Sequence, residues 1–189
     1  SYNGSAWTEV NDLNTGRQTL AGAGTQTAAL AMGGVEAAAG ITELWNGTNW
    51  TEVGDMNLGK TKLAGGGTTT SAISFGGDAT PGTQATTELY NGTNWTEVND
   101  LNTARFSLGG VAASSPSALA FGSNTPTKAI TELWNGTNWT EVNDLNLGRQ
   151  QLGSAGIATA ALAIGGSGPA GPSTPGTTES WNGTNWTEV

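Results

Sequence analysis

Residues 43–53 read E-L-W-N-G-T-N-W-T-E-V, and close copies of this segment recur along the whole chain. The Asn-Gly pair inside it begins at positions 3, 46, 91, 135 and 182, so successive copies are 43, 45, 44 and 47 residues apart. Repeats of this length are typical of propeller blades and solenoid turns, in which each unit buries a face against its neighbour. Residues 1–189 are therefore predicted to form a single array. A residue present in every copy is most simply explained by architecture, so we look for function where the copies differ.

One repeat unit predicts four short strands, which we name a, b, c and d. Q-T-L-A-G-A-G-T (18–25) predicts strand a, A-A-L-A-M (28–32) strand b, I-T-E-L-W (41–45) strand c and W-T-E-V (50–53) strand d. Asn-Gly between c and d is a strong hairpin signal, because both residues tolerate positive φ. No segment has a sustained apolar period of 3.6 residues, so helices are not expected.

Strand a is rich in glycine in every unit, although a strand glycine costs about 0.5–1 kcal/mol relative to alanine. Glycine suits the crowded axis of a radial assembly, where backbones approach closely. The tryptophans would then fill the wider outer wedge between blades. This taper from small to bulky residues is what a propeller requires.

The order of marker residues within a unit is also informative. A double glycine follows strand b, an aromatic residue ends strand c, a tryptophan opens strand d, and an apolar and then a basic residue follow. For the first unit these residues are Gly33-Gly34, Trp45, Trp50 and Met56, and the basic residue, Lys60, opens the next unit. The pattern resembles the kelch repeat over essentially the whole chain, although Gly122-Ser123 replaces the double glycine in the third unit. The near identity of the copies also resembles the amplified repeats of phage and bacterial surface proteins.

This resemblance implies an all-β fold: a kelch-like β-propeller of four-stranded antiparallel blades, with four full repeats plus an extra c–d hairpin. The expected units are 2–10 (a half unit), 16–53, 59–98, 104–142 and 148–189. Closure of a ring by the N-terminal strands would need only one of the two terminal hairpins. The chain is therefore a segment of a longer array, or its spare hairpin pairs with another chain, since open strands are templates for pairing. A self-contained four-bladed monomer is the alternative.

The net charge of −9 is a property of the repeat. Three repeat positions hold 13 of the 15 acidic residues, and one position holds four of the six basic residues. This distribution argues against nucleic-acid binding, which needs a clustered basic surface, and it favours solubility. No apolar run approaches the roughly 20 residues that span a membrane, so membrane insertion is not expected.

The chain contains neither histidine nor cysteine. Their absence removes the usual general base, metal ligand and thiol nucleophile, so we expect no catalytic residue, metal or cofactor. The copper chemistry of some kelch-fold enzymes needs His and a Cys–Tyr pair that this chain lacks. Paired carboxylates such as Glu43 and Glu52 are of the kind that glycosidases use. Because they recur in every unit, pairing with Arg or Lys, or solvation, is their expected role.

Most of the eight tryptophans are expected in the core, because they lie at repeat positions. The aromatic residue that ends strand c lies beside the Asn-Gly turn in each unit. We expect these residues to be the exposed aromatic set, available to stack on a ligand: Trp45, Tyr90, Trp134 and Trp181.

The b–c connection is the stretch that varies freely between copies. It spans residues 35–40, 78–85, 123–129 and 167–176. Binding residues tend to lie on loops held by a rigid scaffold; relaxed constraint on solvent-exposed loops is the alternative. No b–c loop carries an aromatic anchor, which argues against a tight protein-binding site there. The candidate ligand-binding residues are Glu36, Asp78, Gln84, Asn124, Lys128 and Ser173.

These patterns predict a non-enzymatic binding or display module of a phage fibre or bacterial surface protein, located outside the cell or on the virion. It would contact a glycan or a cell-surface receptor through the b–c loops. The alternative is a structural scaffold that assembles through the spare c–d hairpin and has no ligand. A glycoside-acting enzyme that uses the repeat carboxylates is a distant third hypothesis.

Overall fold

The chain folds as a four-bladed β-propeller. Its structure is a computed structural model that describes residues 1–35, 40–124, 129–168 and 176–189. Four antiparallel four-stranded sheets form the blades, and the described residues contain no helix. The predicted all-β propeller, with four full repeats and an extra c–d hairpin, is therefore confirmed.

The strands follow one another in the order a, b, c, d in every blade. The first blade consists of β1 (Ala21–Thr25), β2 (Ala28–Met32), β3 (Thr42–Trp45) and β4 (Trp50–Glu52). The second consists of β5 (Ala64–Thr68), β6 (Ser71–Phe75), a small hairpin of β7 (Asp78–Ala79) and β8 (Gly82–Thr83), then β9 (Thr87–Tyr90) and β10 (Trp95–Val98). The third consists of β11 (Gly109–Ser114), β12 (Ser117–Phe121), β13 (Thr131–Trp134) and β14 (Trp139–Val142). The fourth consists of β15 (Gly153–Ile157), β16 (Ala160–Ile164), β17 (Thr178–Trp181) and β18 (Trp186–Glu188).

The glycine-rich a strands lie at the axis, as the taper predicts. Small residues of β1, β5, β11 and β15 together line a cavity of about 280 Å³. A side chain on Gly66 would not fit at this axis, because its Cβ would lie 2.8 Å from the backbone nitrogen of Ala112 in the next blade. Glycine here lets neighbouring blades approach closely, and this approach compensates for its conformational cost.

Three clusters of buried apolar side chains fill the boundaries between successive blades. Around the second boundary, for example, Phe75 of strand b packs against Trp139 of the next blade with ring centroids 4.9 Å apart. A buried tryptophan of this kind removes ~150–250 Å² from water, roughly 4–6 kcal/mol of gross stabilisation. Among the described residues no such cluster joins the fourth blade to the first.

Each boundary also carries the same buried hydrogen bond. The indole N–H of the d-strand tryptophan donates to the hydroxyl of the c-strand threonine of the preceding blade. The three donor–acceptor pairs are Trp95–Thr42 at 3.0 Å, Trp139–Thr87 at 2.9 Å and Trp186–Thr131 at 3.1 Å. Apolar packing and this bond together define one type of blade contact, used three times.

The double glycine after strand b is required by the backbone. Gly33 and Gly34 have φ values of 68° and 110°, which disfavour a side chain. A Cβ at Gly33 would lie 2.6 Å from the carbonyl oxygen of Lys60 in the next blade. In the third unit, Gly122 keeps a positive φ of 68°, whereas Ser123 is not among the residues with positive φ. The second position therefore accepts serine by changing its backbone conformation.

The extra c–d hairpin precedes the first blade. Tyr2 and Trp7 form an isolated antiparallel bridge, and their ring centroids are 5.2 Å apart. The linker that follows the hairpin is bound to the first blade by the Asn11 side-chain amide, which donates to the carbonyl of Thr48. The linker between the second and third blades makes the equivalent bond, from Asn99 to Thr137. Trp7 nevertheless remains 81% exposed.

The expectation that the strand-c aromatics are exposed is wrong. Trp45, Tyr90, Trp134 and Trp181 are only 6%, 2%, 1% and 2% exposed. Each pairs in register with the d-strand tryptophan across the Asn-Gly turn, with ring centroids 5.1–5.5 Å apart. The three indole N–H groups donate to carbonyl oxygens in or beside the neighbouring a–b turn, of Gln26, Ser115 and Ala158. Proximity to the turn therefore does not expose them, because the ring turns inward onto its strand partner.

Candidate functional site

The end of the propeller where strand a begins also bears the b–c loops. Two residues separate the basic residue of each repeat from the leucine that leads into strand a. We name the four pairs the rim: Gln18-Thr19, Thr61-Lys62, Phe106-Ser107 and Gln150-Gln151. All eight rim residues are exposed or half-buried.

The rim is continuous with the b–c loops. Backbone bridges join Gln18 to Val35, Thr61 to Asp78 and Gln150 to Ser167. In the third blade the backbone N–H of Asn124 donates to the carbonyl of Phe106. The rim therefore adjoins the described part of each b–c loop.

Hydrogen bonds between blades hold the rim in place. The second residue of each rim pair has a positive φ, between 53° and 57°. This conformation directs the backbone N–H of Lys62 to the carbonyl of Thr19, that of Ser107 to Lys62, and that of Gln151 to Ser107, at 2.8–2.9 Å. A positive φ at a non-glycine residue costs energy and persists where surrounding structure enforces it. The rim is thus a platform held by backbone hydrogen bonds at three blade boundaries.

One charged and aromatic group lies on this platform. The ammonium of Lys62 is 5.0 Å from the ring centroid of Phe106 in the next blade and 3.7 Å from a carboxylate oxygen of Asp78. The side chains of Lys62 and Asp78 are 39% and 33% exposed. A solvent-exposed ion pair contributes only about 0–1 kcal/mol to stability. The ion pair therefore adds little to the stability of the fold, and both of its side chains are partly exposed.

Three of the six predicted loop residues lie within the described part of the chain. Asp78 is the ion-pair partner of Lys62. Gln84 lies nearby in the sequence but is engaged internally, since its side-chain amide donates to the carbonyl of Gly82 at 2.6 Å. Asn124 is half-buried beside Phe106. The other three candidates, Glu36, Lys128 and Ser173, lie outside the described residues.

The rim residues were missed by sequence reasoning, although a signal for them exists. Between the basic residue and the leucine, the four copies read Q-T, T-K, F-S and Q-Q. These positions vary as the b–c loops do. Comparison of the copies at every position, rather than only at the longest variable stretch, would have identified them.

The strand-c carboxylates of the repeat are structural. Glu43, Glu88, Glu132 and Glu179 are at most 2% exposed. Glu43 is ion-paired with Arg17, Glu132 with Arg105 at 3.0 Å and Glu179 with Arg149 at 2.9 Å. The expected pairing with basic residues is therefore confirmed for three of these four carboxylates, whereas Glu88 makes no ion pair among the described residues. A glycosidase carboxylate must contact its sugar, and these oxygens are turned away from solvent.

The pKa of Glu43 reflects this environment. Burial raises the pKa of the carboxyl, but the hydrogen bond from Arg17 and those from the backbone N–H groups of Asn14 and Thr15 lower it more. The net pKa is below the ordinary value of 4.5. Glu43 is therefore held as a charged hydrogen-bond acceptor and does not have the raised pKa of a general acid.

The second blade has lysine where the other blades have arginine. Lys60 is fully buried and, among the described residues, makes no ion pair; its ammonium donates to the carbonyl of Thr86 at 2.7 Å. Burial lowers the pKa of Lys60 to about 8, although the charge of Glu88 opposes the shift. The Asn57 side-chain amide and backbone N–H bind Glu88. Burial likewise lowers the pKa of the Arg105 guanidinium, against the effect of Glu132.

Comparisons with known proteins identify no family. No protein-family model matches the chain, and no curated protein is detectably similar to it. Within the part of the chain that the structure describes, no group of His, Cys, Asp and Glu is arranged to hold a metal ion. The same residues include no helix long and apolar enough to cross a bilayer.

Proposed function

We propose that this chain is a non-enzymatic recognition module that binds a glycan, free or carried by a cell-surface receptor, through the rim and the b–c loops. The observation that carries the proposal is that the variable rim is joined by backbone hydrogen bonds to the described part of each variable b–c loop. Everything that recurs in the four blades builds the scaffold. The residues that differ are displayed together, as in other scaffolds that carry binding loops.

The chemistry of this surface suits a sugar better than a protein. It offers the side-chain amides of Gln18, Gln150 and Gln151, the hydroxyl of Thr61 and the Lys62–Asp78 pair. Such groups donate to and accept from hydroxyl groups. Phe106 is its one aromatic side chain among the described residues, and a flat apolar face of a sugar ring can pack on it. A tight protein interface would need several buried aromatic or arginine anchors.

The kelch-like marker residues and the near identity of the copies support a placement among kelch-like propellers of phage fibres or bacterial surface proteins. In that setting the module would lie on a virion or outside the cell. Fold alone does not assign a ligand, so the proposal rests on the rim.

A glycan array with matched rim variants tests the proposal. Lys62→Thr and Phe106→Gln introduce residues that other copies carry at the same rim positions, so the backbone already accepts them. Each is expected to weaken glycan binding about tenfold, equivalent to ~1.4 kcal/mol. Thr159→Ala, an exposed change in an a–b turn at the opposite end, is the control and should bind as the wild type does.

Replacement of the loops completes the test. A chain whose four b–c loops all carry the sequence of residues 35–40 should lose selectivity among glycans. The proposal is overturned if the wild type binds no glycan above background. It also fails if rim variants and the four-loop replacement leave binding unchanged.

A further inference from the structure

The N-terminal hairpin and the exposed flank of the fourth blade carry the two halves of the blade contact. At each internal boundary, the tryptophan that opens strand d packs against the end of strand b of the preceding blade. Trp139 lies against Phe75 and Trp186 against Phe121, each with ring centroids 4.9 Å apart. The same tryptophan donates its N–H to the c-strand threonine of that blade. One residue type thus provides both packing and a directional bond.

The fourth blade has the strand-b face that receives such a tryptophan, and no described residue covers that face. Its two large strand-b side chains on that face, Leu162 and Ile164, are 36% and 42% exposed. The equivalent side chains of the other blades are at most 2% exposed: Leu30, Met32, Ile73, Phe75, Leu119 and Phe121. Leu162, Ser180 and Trp181 help to line an adjacent open groove of about 280 Å³. The hydroxyl of Thr178, which corresponds to the acceptors Thr42, Thr87 and Thr131, has no donor among the described residues.

The N-terminal hairpin carries the counterpart of the tryptophan that packs on strand b in the blade contact. Trp7 corresponds to the d-strand tryptophans by its place after the Asn-Gly turn and by its ring contact with Tyr2. It is 81% exposed, whereas Trp95, Trp139 and Trp186 are 5% exposed. Its indole N–H makes no hydrogen bond within the described residues. Trp7 and Ile164 of one copy are both open to solvent, so they do not cover each other.

We infer that a second copy of this chain supplies the missing half: Trp7 of one copy packs on Ile164 and donates its indole N–H to Thr178 in the fourth blade of the next. The occupant is specified by the chain itself, because the three internal boundaries show what covers this face. The contact is head-to-tail, so it uses different surfaces on the two copies and can grow into a ring or a filament. The inference does not rest on glycan recognition, since it uses the flanks of the array and not the rim.

Sedimentation velocity over a range of concentrations tests this inference. The wild-type chain is expected to associate in multiples of 19.0 kDa as concentration rises. Trp7→Ala and Ile164→Glu should each weaken association about 30-fold or more, the effect of removing a central interface residue. Both positions are exposed, so the fold should be retained. Val35→Glu adds the same charge at a residue that is 37% exposed near the rim, and it should associate as the wild type does.

Mixing the two non-associating variants separates a head-to-tail contact from a symmetric one. Trp7→Ala keeps an intact fourth blade, and Ile164→Glu keeps an intact hairpin. An equimolar mixture should therefore form one-to-one dimers that grow no further. If Ile164→Glu disturbs the fourth blade, Thr178→Val serves instead, because it keeps the volume and removes the acceptor.

Each alternative result overturns the inference. A wild-type chain that stays at 19.0 kDa at every concentration excludes the contact. Association that survives Trp7→Ala places the contact elsewhere. Growth of the variant mixture beyond dimers, or failure of the mixture to form them, excludes a single head-to-tail surface.

Discussion

The third and fourth blades carry equivalent apolar residues at the same two positions of strand b, yet only one pair is buried. Leu119 and Phe121 are 0% exposed, whereas Leu162 and Ile164 are 36% and 42% exposed. The local strand is the same in both blades, and the difference is the neighbour. Each repeat therefore supplies one face of a blade interface, and the side chains of that face are buried only where another blade packs against them.

The most direct way to break this comparison is to truncate both residues. Phe121→Ala should lower the free energy of unfolding by about 3–5 kcal/mol, because it leaves a cavity under Trp186. Ile164→Ala should cost less than about 0.5 kcal/mol in dilute solution, as exposed substitutions do. Urea unfolding measures both values. Equal losses would mean that the flank of the fourth blade is buried in the isolated chain.

A second prediction concerns the basic position of the second blade, which holds lysine where the other blades have arginine. Lys60 has a folded-state pKa of about 8 against an ordinary value of 10.5. Between these pH values the unfolded chain binds more protons than the folded chain, so the free energy of unfolding rises with pH. The full effect is on the order of 3 kcal/mol, at 1.36 kcal/mol per pH unit.

Urea unfolding between pH 7 and pH 10 measures this rise, with Lys60→Met as the control. The variant cannot titrate at this position, so its stability should not share the rise. Subtraction of the two profiles also removes the contribution of Tyr90, whose pKa burial raises. Parallel profiles would show that Lys60 is not buried as a titrating group.

The smallest predicted effect isolates the indole hydrogen bond. Trp139→Phe removes the N–H that Thr87 accepts and should cost about 1 kcal/mol beyond the loss of ring area, because the buried hydroxyl loses its donor. Trp50→Phe is the matched control. Trp50 occupies the same position in the first blade, is half-buried, and has no such acceptor among the described residues. Urea unfolding of both variants gives the difference, and equal losses would assign the whole effect to packing.

The fold was predictable because its signals are local and repeated. Asn-Gly between two strand-like runs predicts a hairpin wherever it occurs, as at Asn46-Gly47. Repetition of that signal at intervals of 43–47 residues predicts the blades. The taper from Gly66 at the axis to Trp139 in the wedge follows from the space available at each radius.

The candidate site was only partly predictable. Asp78 was identified through its variable loop, but Lys62 and Phe106 were not, because each stands alone between repeated residues. Their grouping depends on a contact between the second and third blades. Trp134 was placed on the surface by its position beside a turn, whereas the ring is buried, since its N–H reaches the carbonyl of Ser115.

By itself the sequence determined the strands, their order in a blade and the taper from glycine at the axis to tryptophan between the blades, because these depend on short-range pattern and on the volume of each side chain. Only the tertiary structure showed the contact between blades and which tryptophans make it. Trp95, Trp139 and Trp186 are buried against another blade and donate to its threonine, whereas Trp7 is exposed and makes no such bond among the described residues. The reason is that burial of a side chain and formation of a hydrogen bond at a blade interface require two packed surfaces, and a single repeat supplies only one of them.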